Sequence, residues 1–312
     1  MNSIKNMYRF ESSVAKKVLD KRYKAIYAHA RIQEKWDAEL AGCPELASTL
    51  PVGVIPEDLL TMKYEKLVEV YLLYRQVFDN LTDVRRAVLN TAAGTVFTYG
   101  SYRGQIKRFL MNPANGFEIY NCVYCDLTDA RGFGDGHRQF DTEHILDKGE
   151  CPLVGLSLYN FCPACGTCNT DLKGTQPIGT NAREMKKLGP TSKQYDFKHK
   201  VRFVINQKPE AVGRIKYDHP EWYEIDFEYK DDDYRIVTGL FDLKNRYNLD
   251  NHKLRAMEWL EKSMKYRGIA TRFIVFMHIK TEEQVREDIF HLEAYRKAHS
   301  DKLKLLEDII GV

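Results

Sequence analysis

The chain has 312 residues, of which 44% are hydrophobic and 29% are charged. This is ordinary for a globular protein and excludes disorder as the default state. Its 47 basic and 44 acidic side chains nearly balance, with a formal net charge of +3. A nucleic-acid surface would therefore require local clustering of basic residues. The first residues carry no apolar signal segment, and no apolar run reaches bilayer length. We therefore expect a cytoplasmic protein without membrane contact.

The N-terminal region, 1–113, has the apolar periodicity of helices. The pattern predicts helices over 12–41, from Pro56 to a break at 79–80, over 81–93 and over 97–110. The first of these helices can be capped by Ser12 or Ser13. Its first half is basic, and we expect a solvated face there rather than a nucleic-acid surface. The basic residues are Lys16, Lys17, Lys21, Arg22 and Lys24.

The C-terminal region, 181–312, is predicted to be α+β and mainly helical. Alternating patterns predict strands over 201–206, 222–229 and 234–239, with a turn at 231–233. A helical pattern covers 241–266 with a break around 248–250, and further helices are predicted over 282–299 and 302–310. The run 271–279 fits either a strand or a buried helix.

Two Cys-x₂-Cys pairs frame the central region, 114–180. They are Cys122 with Cys125, and Cys165 with Cys168. Two thiolate pairs at this spacing predict a four-cysteine structural Zn²⁺ site, because zinc prefers four soft ligands in a tetrahedron. The other cysteines, Cys43, Cys151 and Cys162, lack a partner at this spacing and are interpreted as structural.

The residues between the pairs, together with Asn169 directly after Cys168, suit phosphodiester hydrolysis. Such a reaction needs a base that deprotonates water and a cation that stabilises charge on the phosphate. His144 follows Glu143 directly and has the ordinary pKa range of a general base. Glu143 and Asn169 offer carboxylate and amide oxygens to a hard cation such as Mg²⁺ or Mn²⁺.

Together these residues resemble the HNH endonuclease motif. The matching segments are Cys122-Val-Tyr-Cys125, Asp141-Thr-Glu-His144-Ile-Leu-Asp-Lys148, and Leu156-Ser-Leu-Tyr-Asn160-Phe-Cys-Pro-Ala-Cys165-Gly-Thr-Cys168-Asn169. The resemblance implies a ββα-metal fold, in which two strands and a helix clamp one catalytic divalent ion, and an endonuclease acting on DNA. It implies that Asn160 orders the loop and helps hold the base, and that Asn169 takes the last family position.

A looser similarity extends toward the C-terminus. Phe241-Asp-Leu, Tyr247, His252-Lys253 and the closing Lys302-Leu-Lys-Leu-Leu-Glu-Asp-Ile are similar to bacterial HNH proteins of anti-phage defence loci, including the Septu type. This similarity implies a role in antiviral defence and an ATPase encoded nearby as partner.

Strand geometry constrains the predicted site. In a regular strand Asp141 and Glu143 point to one face and His144 to the other. Base and metal ligand therefore converge only if the strand ends or bulges at Glu143–His144. Asp141 is a reserve metal ligand for this reason.

Each assignment has an alternative. In the alternative interpretation, His144 is a histidine whose hydrogen bonds are satisfied within an inactive fold. Asn169 is then a helix cap. Lys148 and Lys173 are predicted to contact substrate phosphate, as are Arg131 and Arg138, although each also fits an ordinary surface charge. His137, in a glycine-rich loop, is interpreted as merely exposed. The alternative functions are a zinc-stapled binding module without catalysis and a ribonuclease, since the motif addresses phosphate rather than sugar.

Overall fold

The computed structural model describes residues 13–117, 121–128, 132–133, 137–138, 140–211, 219–266 and Gln284. The fold is mixed α+β and mainly helical. Contacts divide the chain into two units. The first unit comprises Ser3–Val123 and Ala130–Tyr195, and the second comprises Met1–Asn2, Tyr124–Asp129 and Asp196–Val312. The predicted regions 1–113 and 114–180 thus fall largely within the first unit.

Among its described residues, the first unit begins with five helices that contribute to its core. They are α1 (Ser13–Ala25), α2 (Ile32–Leu40), α3 (Tyr64–Asp79), α4 (Asp83–Val96) and α5 (Tyr99–Met111). Helix α3 is the most deeply buried, because its apolar side chains recur every three or four residues along one face. The buried residues of α3 are Tyr64, Leu67, Val68, Val70, Tyr71 and Tyr74.

The single helix predicted over 12–41 is wrong. The chain forms α1 and α2 with a turn between them, in which Arg31 adopts a left-handed backbone conformation with φ of 49°. A helix cannot continue through that conformation. The turn buries both Tyr27 and Ala30, so tertiary packing overrides the local helical pattern.

The other N-terminal predictions agree with the structure more closely. The break at 79–80 is confirmed, since α3 ends at Asp79 and α4 begins at Asp83. The segment after Pro56 begins as a 3₁₀-helix, Pro56–Thr61, before α3. Helix α4 continues to Val96, past Gly94, and α5 lies where a short helix was predicted.

Four short strands and two helical segments of seven residues each, besides short 3₁₀-helices, complete the described part of the first unit. Strand β1 (Gly132–Phe133) pairs with β2 (His137–Arg138), and β3 (Asp141–His144) pairs with β4 (Phe161–Ala164), both antiparallel. A π-helix, Thr167–Lys173, follows β4, and α6 spans Ala182–Leu188. Short 3₁₀-helices at Pro152–Val154 and Leu158–Asn160 shape the connection between β3 and β4.

The second unit contains α7 (Phe197–Lys200) and an antiparallel pair, β5 (Val201–Gln207) and β6 (Tyr223–Tyr229). These strands confirm the predictions over 201–206 and 222–229. Three helices follow: α8 (Tyr234–Leu240), α9 (Leu243–Tyr247) and α10 (Asp250–Tyr266). The predicted break around 248–250 is confirmed.

The strand predicted over 234–239 is wrong, because this segment is helix α8. The amides of Tyr234, Arg235 and Ile236 donate to the carbonyls of the three preceding aspartates, and these turns open the helix. Tyr234, Val237 and Thr238 are then buried at helical spacing. The segments predicted over 271–279 and 302–310 lie outside the described residues, as does 282–299 except for Gln284.

Within the part of the chain that the structure describes, no helix combines the length and the apolar character that a membrane span requires.

Candidate active site and metal centre

Four buried cysteines come together as the sequence predicts. The Sγ atoms of Cys122, Cys125, Cys165 and Cys168 all lie within 4.8 Å of one another. Zn–S bonds of about 2.3 Å in a tetrahedron separate the sulfurs by about 3.8 Å, so the cluster is close to the size of a filled site. This arrangement can hold a metal ion such as zinc.

Backbone hydrogen bonds fix the two cysteine pairs. The amide of Val123 donates to the carbonyl of Pro163 at 3.0 Å, which ties the first pair to β4. The amide of Asn169 donates to the carbonyl of Cys165 at 2.9 Å, which closes the second pair into a turn. In the second unit, the Tyr247 hydroxyl donates to the carbonyl of Cys125 at 2.9 Å. The sulfurs are therefore held by the folded backbone.

The remaining cysteines are buried and lie outside this cluster among the described residues. They are Cys43, Cys151 and Cys162. Burial raises the pKa of the Cys151 thiol to about 12, so this thiol stays protonated. Their burial matches the structural role predicted for them.

The strand pair and the π-helix form a compact strand–strand–helix arrangement. In the β3–β4 register, Glu143 lies opposite Cys162 and His144 lies opposite Phe161. The register is regular, so Glu143 and His144 point to opposite faces of the pair. The strand ends at His144, which is one of the two conditions under which base and ligand can converge.

His144 is buried and held from three sides. Its Nε2 lies 3.1 Å from the Gly155 carbonyl oxygen. Its ring packs edge-on against Tyr99 at 4.5 Å and Phe161 at 4.9 Å between centroids. A carbonyl can only accept, so Nε2 carries the proton and Nδ1 of the neutral ring is the proton acceptor. Nδ1 makes no hydrogen bond with any described residue.

Burial lowers the pKa of His144 to about 3, and the positive charge of Lys148 contributes to the lowering. The imidazole is therefore neutral at neutral pH, which is the form that accepts a proton. Negative charge placed beside the ring, such as a substrate phosphate, would raise this pKa toward the range of an efficient general base.

Asn160 is fully buried and organises the loop that positions His144. Its Oδ1 accepts from the Leu146 amide at 2.8 Å. Its Nδ2 donates to the carbonyls of Leu146 and Val154, both at 3.0 Å. Val154 directly precedes Gly155, whose carbonyl holds the imidazole. The side chain of Asn160 therefore acts on His144 through the backbone of this loop.

Glu143 faces the π-helix and forms a buried ion pair. Lys173 Nζ lies 2.7 Å from Glu143 Oε1, and both side chains are almost inaccessible, with exposed fractions of 1% and 6%. The same ammonium donates to the His144 carbonyl at 3.1 Å. Burial raises the pKa of Glu143, and the attraction of Lys173 opposes this. Lys173 thus contacts protein oxygens here, and its contact with substrate phosphate stays a prediction.

Asp141 and Asn169 lie one step further along the same face. Asn169 Nδ2 donates to Asp141 Oδ2 at 3.2 Å, and both residues are partly exposed. A half-turn of the amide exchanges Nδ2 for Oδ1, which would present two oxygens side by side. The oxygen donors of Asp141, Glu143 and Asn169 suit a hard divalent ion by their chemistry. Glu143 would bind such an ion only by exchanging it for Lys173.

Two further residues flank His144. Lys148 is exposed, and its Nζ lies 5.4 Å from the centroid of the Tyr99 ring. Tyr99 is not predictable from the sequence, because nothing in the pattern at the start of α5 indicates that its ring packs on a distant histidine. For His137 and Arg138 the structure describes the backbone alone, and Arg131 lies outside the described residues.

No protein-family model, curated protein or solved structure matches this chain. Inferences about function therefore depend on the residues and their geometry.

Proposed function

We propose that this chain is a metal-dependent endonuclease of the HNH type that hydrolyses phosphodiester bonds of DNA. The observation that carries the proposal is the hydrogen bond from His144 Nε2 to the Gly155 carbonyl, in a loop that Asn160 ties down. This bond leaves Nδ1 as the proton-accepting nitrogen of the neutral ring. Strands β3 and β4 lie between the two cysteine pairs, and the π-helix begins within the second pair; this order supports the same assignment.

In the proposed reaction His144 is the general base. Nδ1 takes the proton of the attacking water, while Gly155 and the rings of Tyr99 and Phe161 keep the imidazole in one orientation. Lys148, exposed beside Tyr99, attracts the scissile phosphate. Glu143 and Asn169, with Asp141 in reserve, would hold a Mg²⁺ or Mn²⁺ ion, which would stabilise charge on the phosphate and the leaving oxygen.

The four-cysteine cluster is proposed to hold a structural Zn²⁺ ion. All four sulfurs are buried and mutually close, and a closed four-sulfur site leaves no open position for substrate. Its role is to fix the ends of the segment that carries His144 and Asn160, and with them the position of Asn169, which directly follows Cys168.

The test is plasmid cleavage by pure protein with Mg²⁺, Mn²⁺ or EDTA. Wild type should cut with either ion and not with EDTA, and His144→Ala should reduce the rate by roughly two to four orders of magnitude, as expected for a general base. His29→Ala, which alters an exposed histidine, should cut like wild type. Equal cutting by His144→Ala would refute the assignment of the base. Parallel digestion of structured RNA decides between DNA and RNA as substrate.

The Glu143–Lys173 ion pair favours a second candidate, a zinc-stapled binding module without catalysis. In that function the pair is a permanent structural link between β3 and the π-helix. Wild type would then bind nucleic acid and cut neither DNA nor RNA with any divalent ion, and His144→Ala would bind as wild type does. Cleavage by wild type that depends on His144 would exclude this candidate.

A further inference from the structure

The buried carboxylate of Glu143 is incompletely satisfied by its ion pair. Lys173 Nζ lies 2.7 Å from Glu143 Oε1, and the two side chains have exposed fractions of 1% and 6%. Oε1 nevertheless makes no hydrogen bond with any described residue. The short contact is therefore one of charge, with the ammonium outside the directions in which this oxygen accepts a hydrogen bond. Buried oxygens in this state are rare in folded proteins, and a bound ion is one of their explanations.

The Lys173 ammonium also contacts a second oxygen. It donates to the main-chain carbonyl of His144 at 3.1 Å. The carboxylate of Glu143 and this carbonyl therefore face one position, which a positive charge fills. Carboxylate and main-chain carbonyl oxygens are both ligands of hard divalent cations in proteins. A position that suits a divalent cation is thus held by an ammonium group of the chain itself.

Asp141 and Asn169 lie beside this position and reach the surface. Asp141 lies two residues before Glu143 on β3, so the two side chains share one face of the strand. Asn169 lies on the same π-helix as Lys173, and its Nδ2 donates to Asp141 Oδ2 at 3.2 Å. Asp141 and Asn169 are partly exposed, whereas Glu143 and Lys173 are buried. Two further side chains with oxygen ligands therefore lead from solvent toward Glu143.

We infer that the divalent ion binds at the position of the Lys173 ammonium, with the Glu143 carboxylate and the His144 carbonyl as ligands, and that Lys173 competes with the ion for this position. An ion on this face rests on the proposed function, whereas the His144 ligand and the competition are additional to it. Without the ion, Lys173 neutralises the buried carboxylate. With the ion bound, the ammonium leaves the interior, because two cations at one position repel each other. The carbonyl belongs to the residue that carries the proposed base, so the ion also fixes the backbone of that residue.

The first test is Mn²⁺ binding by the full, zinc-loaded chain, with free Mn²⁺ measured by electron paramagnetic resonance. Lys173→Met removes the competitor and should raise the Mn²⁺ affinity roughly tenfold or more, because the ion then neutralises a buried carboxylate that has lost its partner. Adding Glu143→Gln to this variant should abolish the gain. The matched control is Lys186→Met, since Lys186 Nζ lies at the same distance of 2.7 Å from Glu69 Oε1 in a partly exposed ion pair. Its substitution should leave the affinity unchanged.

The second test uses wild type and does not depend on the folding of a variant. Reductive methylation followed by peptide mass spectrometry reports which lysines the reagent reaches. Lys173 should be unmodified without Mn²⁺ and modified in its presence, whereas the exposed Lys17 should be modified in both conditions. Lys173 that stays protected while Mn²⁺ is bound would overturn the inference, as would an unchanged Mn²⁺ affinity of folded Lys173→Met.

Neither test requires cleavage, so this inference and the proposed nuclease fail separately. Exposure of Lys173 by Mn²⁺ in a protein that cuts neither DNA nor RNA would refute the nuclease alone. Cleavage with Mn²⁺ while Lys173 stays protected would refute this inference alone. Absence of Mn²⁺ binding by wild type and by every variant would refute both.

Discussion

Asn160→Ala offers a direct test of how the loop around His144 is held. The substitution removes three side-chain hydrogen bonds from a fully buried position, one to the Leu146 amide and two to the carbonyls of Leu146 and Val154. Alanine leaves these backbone groups unpaired in the interior of the protein. Each buried unpaired group costs about 1–3 kcal/mol.

The expected loss of stability is about 3–5 kcal/mol. The Leu146 amide has a single proton and loses its partner completely, whereas a carbonyl oxygen keeps a second lone pair, so the two carbonyls contribute near the low end of about 1–3 kcal/mol each. Under the proposed function the displaced Val154–Gly155 backbone would also release His144, so the cleavage rate should fall even at temperatures where the variant is folded.

Urea unfolding followed by circular dichroism measures this loss. Asn245→Ala is the control, because the Asn245 amide bonds Asp242 at 2.9 Å in an exposed position, and exposed substitutions stay within about 0.5 kcal/mol. If Asn160→Ala costs less than about 1 kcal/mol, water replaces the lost partners and the loop does not depend on this side chain.

Three further predictions concern the metal centre, the buried ion pair and the histidine. Cys168→Ser should abolish stoichiometric zinc in the purified protein, measured by mass spectrometry of the metal, whereas Cys162→Ser, which alters a buried cysteine outside the cluster, should retain it; equal zinc content in the two variants would contradict the four-cysteine site. Lys173→Met should lower the free energy of unfolding by about 3–5 kcal/mol, because it leaves the buried Glu143 carboxylate without its ion-pair partner. The double variant with Glu143→Gln should regain part of that loss in the same urea experiment, and a double variant no more stable than Lys173→Met would show that the pair is not coupled. Finally, the pKa of His144 falls from 6.5 to about 3 on folding. Its contribution to stability is therefore fully present above pH 6.5 and is lost as the pH falls toward 3. In that window the free energy of unfolding should change by about 1.4 kcal/mol per pH unit. His144→Gln should flatten the pH dependence in that window, and an unchanged slope would show that the histidine is not buried in its neutral form.

Local patterns predicted the elements whose burial is regular along the chain. Helix α5 and strands β5 and β6 were predictable because their apolar spacing matches a single period. The segment 234–239 was mispredicted because Tyr234, Val237 and Thr238 satisfy helical spacing while the same short run also alternates. A short apolar run does not distinguish the two, and here the aspartate turn decides in favour of a helix.

In the candidate site, residue types and spacing are sufficient to predict some features from the sequence and insufficient to predict others. The four cysteines were predictable, because zinc chemistry imposes a fixed spacing within each pair. The partners of the central residues were not predictable. Lys173 binds Glu143 and Tyr99 packs on His144 through tertiary contacts between elements far apart in the chain. No periodicity in the sequence records which side chain will fill such a position.

The number of residues in one turn of the π-helix affects the geometry of the candidate site. The Gly174 amide donates to the Asn169 carbonyl at 2.9 Å, five residues back, as the wider π turn requires. In a regular α-helix of 3.6 residues per turn, residues four apart are rotated by about 40°. The wider turn brings Asn169 and Lys173 closer to one line, over Asp141 and Glu143 of β3.

Because of this alignment, the number of residues in the segment 170–172 determines how Lys173 is oriented relative to Asn169. Loss of one residue there would restore ordinary helical winding and swing Lys173 away from Glu143, although every residue with a chemical role would still be present. We therefore expect related chains to vary freely in which residues occupy 170–172 while keeping their number unchanged, since an insertion or deletion in this turn would separate the two contacts that hold the helix against the strand.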